Sequence, residues 1–151
     1  NNDTIDDLLS TIEHETTHLI QGLSSNKKMT HSKPIIPHKR AGVPTNDGKM
    51  DYTAEYWTNP IEIEAYVNGT TSRLIQQSKK QNNPVEFLQD VLLDIKHGLM
   101  YDSNQMFNEI MFKYNTKTTN QRVNKGNVKA KKLFLKRLGQ KIQEHITLLR
   151  K

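Results

Sequence analysis

The stretch Thr11-Ile12-Glu13-His14-Glu15-Thr16-Thr17-His18-Leu19-Ile20-Gln21 contains one H-E-x-x-H sequence, formed by His14, Glu15 and His18. On a helix, residues four apart lie one turn above each other, so His14 and His18 share a face. Two neutral imidazoles in that arrangement can hold one Zn²⁺, at about 2.0–2.1 Å from each nitrogen. Glu15 lies at the edge of the same face, where its carboxylate could take a proton from a water that the cation has acidified. The spacing therefore predicts a metal site with a general base beside it.

The same motif can also arise by accident on a polar helix face. With six His and eight Glu in 151 residues, composition predicts only roughly 0.01 such matches. The flanking sequence favours the metal interpretation, because apolar residues recur at helical spacing away from the two histidines. We expect these apolar residues to form a core stripe, namely Ile5, Leu8, Leu9, Ile12, Leu19 and Leu23. The helix would run from about Thr4 to Leu23, with the core on one face and the metal on another.

A catalytic zinc site has a third protein ligand and one open position. The chain has no cysteine, so this ligand must be His, Glu or Asp. The most suggestive segment is Asn59-Pro60-Ile61-Glu62-Ile63-Glu64-Ala65-Tyr66. On a helix Glu62 shares a face with Ala65 and Gly69, whose small size would let this helix approach the first one closely. Glu64 lies roughly on the opposite side, so we favour Glu62 as the third ligand.

Glu62 also fits a purely structural interpretation. Asn59-Pro60 is typical of a helix N-cap followed by the first helical position, and Glu62 could reach back to that cap. The chain repeats this pattern at Asn83-Pro84-Val85-Glu86, where nothing suggests a metal. The small residues on the Glu62 face favour a ligand, and the capping alternative stays open beside it.

The HExxH helix and the later Glu-x-x-Ala segment together resemble the gluzincin group of zinc metallopeptidases. The likeness is to the short HExxH peptidases of phages and bacteria, whose plan the ImmA/IrrE-like and HtpX-like families share. It covers about residues 4–23 and 59–69. The resemblance implies one Zn²⁺ per chain, held by His14, His18 and Glu62. It also implies an endopeptidase that hydrolyses protein or peptide substrates, with Glu15 as its general base.

The chain departs from this resemblance in two places. The HtpX-like pattern has an Asp four residues after the ligand Glu, where this chain has Tyr66. Zincins usually have a β-sheet before the HExxH helix, whereas only thirteen residues precede His14 here. We therefore expect a mainly α, zincin-like domain built on an active-site helix and a second ligand-bearing helix. At most a small β-sheet or hairpin is expected within residues 24–58.

Residues 24–58 form a long predicted connection that is rich in Pro and Gly, with a turn signal at Asn46-Asp47-Gly48. Connections of this length are usually functional or mobile, and this one could form a wall of a substrate cleft. Polar ring residues in or near it are candidates for substrate binding or transition-state stabilisation, although each also has an ordinary structural interpretation. They are His31, His38, Tyr52, Tyr56 and, on the second helix, Tyr66.

The remaining helices are placed by their start signals. The second helix is expected from Pro60 to about Gln81, and the third from Pro84 to about His97. A fourth helix, capped by Asp102 or Ser103, is expected to end near Tyr114. Residues 115–126 are polar and predict a loop before a last helix from Asn127 to about Leu149.

Length and composition predict one domain over residues 1–151. No run of about 18 apolar residues occurs, so no transmembrane helix is expected. The chain opens on Asn1-Asn2-Asp3, without an initiating Met and without the features of a secretory signal, as a processed or trimmed segment would. The cytoplasm is the favoured compartment on these grounds.

The net charge of +6 is unevenly distributed. Residues 117–151 contain eleven Lys or Arg and one acid, Glu144, whereas residues 1–116 contain eleven basic and fifteen acidic residues. This division predicts a metallopeptidase body over 1–116 and a basic C-terminal helical arm over 117–151. A helical stripe of apolar residues is expected to pack the arm on the body, formed by Leu135, Leu138, Ile142, Ile146 and Leu149.

The basic arm allows two interpretations. Its lysines lie largely off the apolar stripe, at Lys129, Lys132, Lys136 and Lys141, and they can simply form a solvated face. The functional interpretation is an anionic partner, such as nucleic acid, a membrane surface or an acidic protein. The alternative to a peptidase is therefore a non-enzymatic basic module that binds nucleic acid through residues 117–151. Affinity that falls steeply with salt would support that alternative.

Overall fold

The structure of this chain is a computed structural model that describes residues 2–23, 34–97 and 104–151. These segments form six helices: α1 Asn2–Leu23, α2 Thr53–Trp57, α3 Pro60–Lys79, α4 Pro84–Lys96, α5 Gln105–Asn115 and α6 Gln121–Leu149. A 3₁₀ turn at His38–Arg40 precedes an antiparallel hairpin of β1 Val43–Pro44 and β2 Met50–Asp51. The prediction of a mainly α fold with a small hairpin within 24–58 is confirmed.

The hairpin forms where the turn signal predicts it. Val43 pairs with Asp51 and Pro44 with Met50, so the turn covers residues 45–49. Gly48 has a φ of 81°, a left-handed conformation that glycine adopts without a steric penalty. The Thr45 hydroxyl donates to the Asp47 carboxylate inside the turn. The hairpin leads directly into α2, which the sequence did not predict.

Asparagine caps the N-terminus of each helix from α3 to α6. The side-chain oxygen of each cap accepts a hydrogen bond from a backbone N–H two or three residues later, at Asn59, Asn83, Asn104 and Asn120. Such bonds satisfy amides that have no partner inside the helix. The first two caps are the predicted ones. Asn104 holds the third capping position, whereas the predicted caps Asp102 and Ser103 lie outside the described residues.

The last helix begins at Gln121, six residues before the predicted start at Asn127. Its cap, Asn120, also donates hydrogen bonds from Nδ2 to the backbone oxygens of Arg40 and Gly42, at 3.0 and 2.8 Å. The prediction of a loop over residues 115–126 is therefore wrong in its second half. The segment is polar, so its composition did not indicate a helix start. The cap, Asn120, is also held by a distant part of the chain.

The core lies between α3, α4, α5 and α6. Helix α6 supplies its largest share, from Ala130, Phe134, Leu138, Ile142 and Ile146. These side chains pack against apolar residues of the other three helices, including Ile63 and Leu74 on α3, Leu88 and Val91 on α4, and Phe107 and Ile110 on α5. The predicted stripe on the last helix is buried at Leu138, Ile142 and Ile146, half-buried at Leu135 and exposed at Leu149. Residues on both sides of position 117 thus share one core.

Helix α1 packs on this bundle through the face opposite to the one predicted. The expected core stripe faces outward, with exposures between 40% and 62% for Ile5, Leu8, Leu9, Ile12 and Leu19. The side chain of Leu23 lies outside the described part of the structure. The inward face is polar and consists of Asp6, Ser10, His14, Thr17 and Gln21. Among the described residues, none from α1 belongs to the main core cluster.

Polar contacts with α3 explain this orientation. The Ser10 hydroxyl donates to the backbone oxygen of Gly69 at 2.6 Å, and Asn68 donates to the hydroxyl of Thr17 at 3.1 Å. Each buried polar group on α1 that gains such a partner avoids the free-energy cost of burial without one. The apolar periodicity identified α1 as a helix but did not identify its inner face. Within the described segments, every helix is too short or too polar to span a bilayer.

Candidate metal centre

Three side chains predicted as ligands meet where α1 packs against the first turn of α3. The Nε2 atom of His14 lies 2.9 Å from Oε1 of Glu62, and the Nε2 atom of His18 lies 3.0 Å from Oε2 of the same carboxylate. The three donor atoms all lie within 4.8 Å of one another. His14 and Glu62 are buried, whereas the His18 side chain is 29% exposed. The group could hold a metal ion, with His18 on its solvent side.

Glu62 faces the histidines rather than its own helix cap. The Asn59 side chain accepts from the backbone of Ile61, and no described contact joins Glu62 to Asn59. At the matching position of α4, Glu86 does contact its cap, because Asn83 donates to its carboxylate at 3.3 Å. The glutamate of the first Asn-Pro-x-Glu segment therefore contacts the histidines, whereas that of the second contacts its own helix cap.

Gln21 is a part of the site that the sequence interpretation missed. Its Nε2 donates to the backbone oxygen of Ile61 at 3.1 Å and lies 3.4 Å from the carboxylate of Glu64. Because the oxygen of Ile61 can only accept, the amide nitrogen of Gln21 must point there, and Oε1 is directed at His18. That Oε1 lies 3.0 Å from Nδ1 of His18. The only available signal was the spacing of three residues from His18, which places both on one helix face.

This contact fixes the tautomer of neutral His18. An Oε1 acceptor requires the proton on Nδ1, so Nε2 of the neutral ring has a lone pair directed at the Glu62 carboxylate. A lone pair and an anionic oxygen at 3.0 Å repel each other unless a cation neutralises the contact or the ring is protonated. Two imidazole nitrogens and a carboxylate form a donor set that suits a divalent transition metal. The residues present therefore fit a metal ion.

The Glu62 carboxyl is held in its ionised form. Burial alone would raise its pKa, but hydrogen bonds from His14 and Tyr56 and the charges that His18 and His14 carry when protonated together outweigh burial. The pKa of Glu62 therefore lies below its ordinary value. An anionic oxygen donor is the form that a metal ion requires.

Tyr56 and Glu15 lie at the solvent side of the centre. The Tyr56 hydroxyl is within hydrogen-bonding reach of Glu62, and Glu15 is close enough for its charge to act on Tyr56. Burial, the hydrogen bond to Glu62 and the charges of Glu62 and Glu15 all raise the pKa of Tyr56. Tyr56 is consequently a neutral hydroxyl donor across the physiological range. The carboxylate of Glu15 itself is exposed.

Tyr66 packs against the inner side of the centre. Its ring meets that of His14 edge-on, with centroids 4.4 Å apart, and lies 5.3 Å from the ring of Trp57. The Nδ1 atom of His14 is buried without a hydrogen-bond partner among the described residues. His14 is therefore positioned by packing, whereas His18 is positioned by a hydrogen bond. Burial, followed by the charges of Glu109 and Glu62, raises the pKa of the Tyr66 hydroxyl.

His38 and Tyr52 are not brought to the metal centre. Their rings stack on each other with centroids 4.4 Å apart, and Nδ1 of His38 lies 2.5 Å from the carboxylate of Glu55. In the described part of the chain no ring contact or hydrogen bond joins either residue to His14, His18 or Glu62. His31 lies outside the described residues. Of the candidates for substrate or transition-state contacts, the structure therefore brings Tyr56 and Tyr66 to the site.

Comparisons of this chain with protein-family models, with curated proteins and with solved structures found no match.

Proposed function

We propose that this chain is a zinc-dependent endopeptidase. One observation supports the proposal above the others, namely the convergence of His14, His18 and Glu62 around one point, with Nε2 of His18 3.0 Å from the Glu62 carboxylate. The HExxH spacing places Glu15 beside that point. The resemblance of residues 4–23 and 59–69 to gluzincins agrees with the same chemistry.

Zn²⁺ held by His14, His18 and Glu62 would acidify a water molecule and polarise a substrate carbonyl. Glu15 is the general base of this proposal, because its carboxylate is exposed at the edge of the ligand face. It takes the proton that water loses on attacking the carbonyl carbon and returns it to the amine leaving group. Gln21 keeps the tautomer of His18 that offers Nε2 to the metal.

Tyr56 is the proposed donor to the carbonyl oxygen. Its hydroxyl is neutral, lies next to Glu62, and is carried by a side chain that is 52% exposed. A hydrogen bond from this hydroxyl becomes stronger as negative charge develops on the carbonyl oxygen, which is how a donor lowers the barrier. An extended peptide chain could reach Tyr56 and Glu15 because both lie on the solvent side of the centre.

The metal content of the purified full chain, prepared without a His-tag and without added zinc, tests the first half of the proposal. About one equivalent of zinc per chain is expected. Glu62→Ala should lose the metal, whereas Glu64→Ala, the matched control on the same helix turn, should retain it. A chain that neither contains zinc nor takes it up on reconstitution would overturn the proposal.

The second half requires an assay for hydrolysis. Incubation of the zinc-loaded chain with a set of unfolded proteins should generate new N-termini, which mass spectrometry detects. Glu15→Gln with its metal retained should generate none. Zinc bound tightly without any cleavage in the native chain would instead indicate a structural metal, and chelation should then unfold the domain.

A further inference from the structure

The exposed side of α6 carries a straight row of cations. Five basic residues follow one another at spacings of three and four, and all are exposed: Arg122, Lys125, Lys129, Lys132 and Lys136. Residues at these spacings lie on one face of a helix, and we call this row the cationic stripe. Only three of its members belong to the helix that the sequence predicts. The start of α6 at Gln121 adds Arg122 and Lys125 to the same face.

The dimensions of the stripe follow from helix geometry. From Arg122 to Lys136 the helix rises about 21 Å, with a cation roughly every 5 Å. One strand of a nucleic-acid duplex presents a phosphate about every 3.4 Å along the axis, so the stripe runs beside about six phosphates. A rigid row of point charges thus matches a rigid row of anions in length.

Among the described residues these charges have no acidic partner. No Asp or Glu occurs between Lys117 and Gln143. In the described part of the chain the ion pairs of Lys and Arg involve only Arg73 and Lys80, so no member of the stripe takes part in one. Five like charges along one helix repel one another, and an anionic ligand relieves that repulsion.

The basic surface continues beyond the start of α6. A cleft beside Arg122 is lined by Lys39 and Arg40 from the 3₁₀ turn and contains no acidic lining residue. Asn120 fixes this arrangement, because its side chain bonds the backbone of Arg40 to the start of α6. Two distant parts of the sequence therefore supply cations to one continuous surface.

We propose that the cationic stripe and this cleft bind the phosphate backbone of duplex nucleic acid without sequence preference. A membrane surface would require a continuous apolar face among the cations, whereas the exposed apolar residues are Val128 beside the stripe and, apart from it, Met50 and Tyr52 in the cleft. Single strands are usually held by stacking on several exposed aromatic rings, whereas Phe134 of α6 is fully buried and the exposed ring in the cleft, Tyr52, is already stacked on His38. A row made mainly of lysines, with few groups to read base edges, is typical of backbone contacts.

The test is fluorescence anisotropy of the full chain with a labelled DNA duplex of about 20 base pairs at several salt concentrations. Phosphate contacts release counterions, so the logarithm of the association constant should fall with the logarithm of salt, with a slope of about −4.5 for five contacts. Lys125→Gln/Lys132→Gln should reduce the magnitude of that slope by about two. Lys141→Gln/Lys151→Gln removes the same charge from exposed positions off the stripe and should leave the slope nearly unchanged. Circular dichroism checks that both double variants retain their helix content.

Several outcomes would overturn the proposal. One is an absence of binding at 50 mM salt. Another is an equal weakening by both double variants, because that result would assign the binding to net charge alone. Tighter binding to polyglutamate or to vesicles of anionic lipid than to the duplex would replace nucleic acid by an acidic protein or a membrane. Two duplexes of unrelated sequence should bind equally, and a strong preference between them would contradict backbone recognition.

Discussion

The hydroxyl of Ser10 donates a 2.6 Å hydrogen bond to the backbone oxygen of Gly69, so the two helices of the candidate metal centre touch at this pair. A Cβ atom on Gly69 would lie 3.0 Å from the backbone oxygen of Ser10 and 2.4 Å from Sδ of Met106. The absent side chain therefore sets how closely α1 approaches α3. The histidines on α1 and Glu62 on α3 depend on that separation.

Gly69→Ala should weaken metal binding by about tenfold. The new methyl group displaces Met106 and pushes the backbone at Ser10 away, which separates His14 and His18 from Glu62. Competition with a chromogenic zinc chelator measures the affinity. Gly139→Ala is the matched control, because its Cβ would make only an ordinary 3.8 Å contact with Leu92. That control should retain zinc affinity and gain up to about 1 kcal/mol from helix propensity. Equal affinities in the two variants would refute the role of close approach.

Glu15→Gln should retain one equivalent of zinc and lose hydrolysis by a factor of about 10² to 10⁴, the range that a general base contributes. The amide keeps the size of the side chain and removes its ability to take a proton. Glu13→Gln changes a neighbouring exposed carboxylate on the same helix and should leave both properties intact. Full hydrolysis by Glu15→Gln would remove this residue from the mechanism.

Tyr56→Phe should retain the metal and lower kcat about 10- to 100-fold with little change in KM, because the lost hydrogen bond forms mainly in the transition state. Tyr52→Phe, on the ring that stacks with His38, is the control and should behave as the native chain. The pKa of Tyr56 is raised, so its hydroxyl should stay protonated as pH rises through the ordinary range of tyrosine. A fall in kcat at pH 8 to 10 that disappears in Tyr56→Phe would contradict this assignment.

Asp6→Asn should lower the free energy of unfolding at pH 7 by about 2–3 kcal/mol, because it removes the charge that pairs with the buried guanidinium of Arg73. Asp6 lies 2.7 Å from Arg73, and both side chains are buried. The hydrogen bond from Lys80 is the main cause of the lowered pKa of Asp6, and the charges of Lys80 and Arg73 add to it. Lys80→Gln, at the solvent-exposed partner, should cost less than about 1 kcal/mol.

The pH dependence of this contribution follows from the direction of the shift. The folded-state pKa of Asp6 lies below the ordinary value of 3.8 for an aspartate. Its stabilising effect is therefore complete above that value and is lost as pH falls through the lowered pKa. Urea unfolding of the native chain and Asp6→Asn should give a difference that is constant from pH 5 to 7 and shrinks towards pH 2. A difference independent of pH would exclude the ion pair as its source.

The ligand helix illustrates what the sequence could and could not predict. The spacing of His14 and His18 and the small residues near Glu62 were local signals. The structure brings His14, His18 and Glu62 together. The apolar spacing of Ile5 to Leu19 was equally local, yet those side chains face outward. Which face of an amphipathic helix is buried depends on the partner surface, and the polar partners on α3 lie more than 50 residues away in the chain.

The start of α6 was missed for a related reason. Asn120 acts as a cap through local hydrogen bonds, but its side-chain nitrogen is satisfied by the backbone of Arg40 and Gly42. The cap of α3 was found because Pro60 follows Asn59, whereas no proline marks the start of α6. Gln21 was missed because a glutamine three residues after a histidine carries no signal without its partner at Ile61.

The absence of described α1 residues from the main core cluster has a consequence for hydrogen exchange. Helix α1 should open as a separate cooperative unit, so its amides should exchange before those of α3 and α6. Two of the three proposed ligands belong to this unit and the third belongs to the bundle. Zinc bound across the two would therefore slow exchange in α1 selectively, with a protection factor that increases with the free zinc concentration. The order of α1 would then depend on the supply of metal.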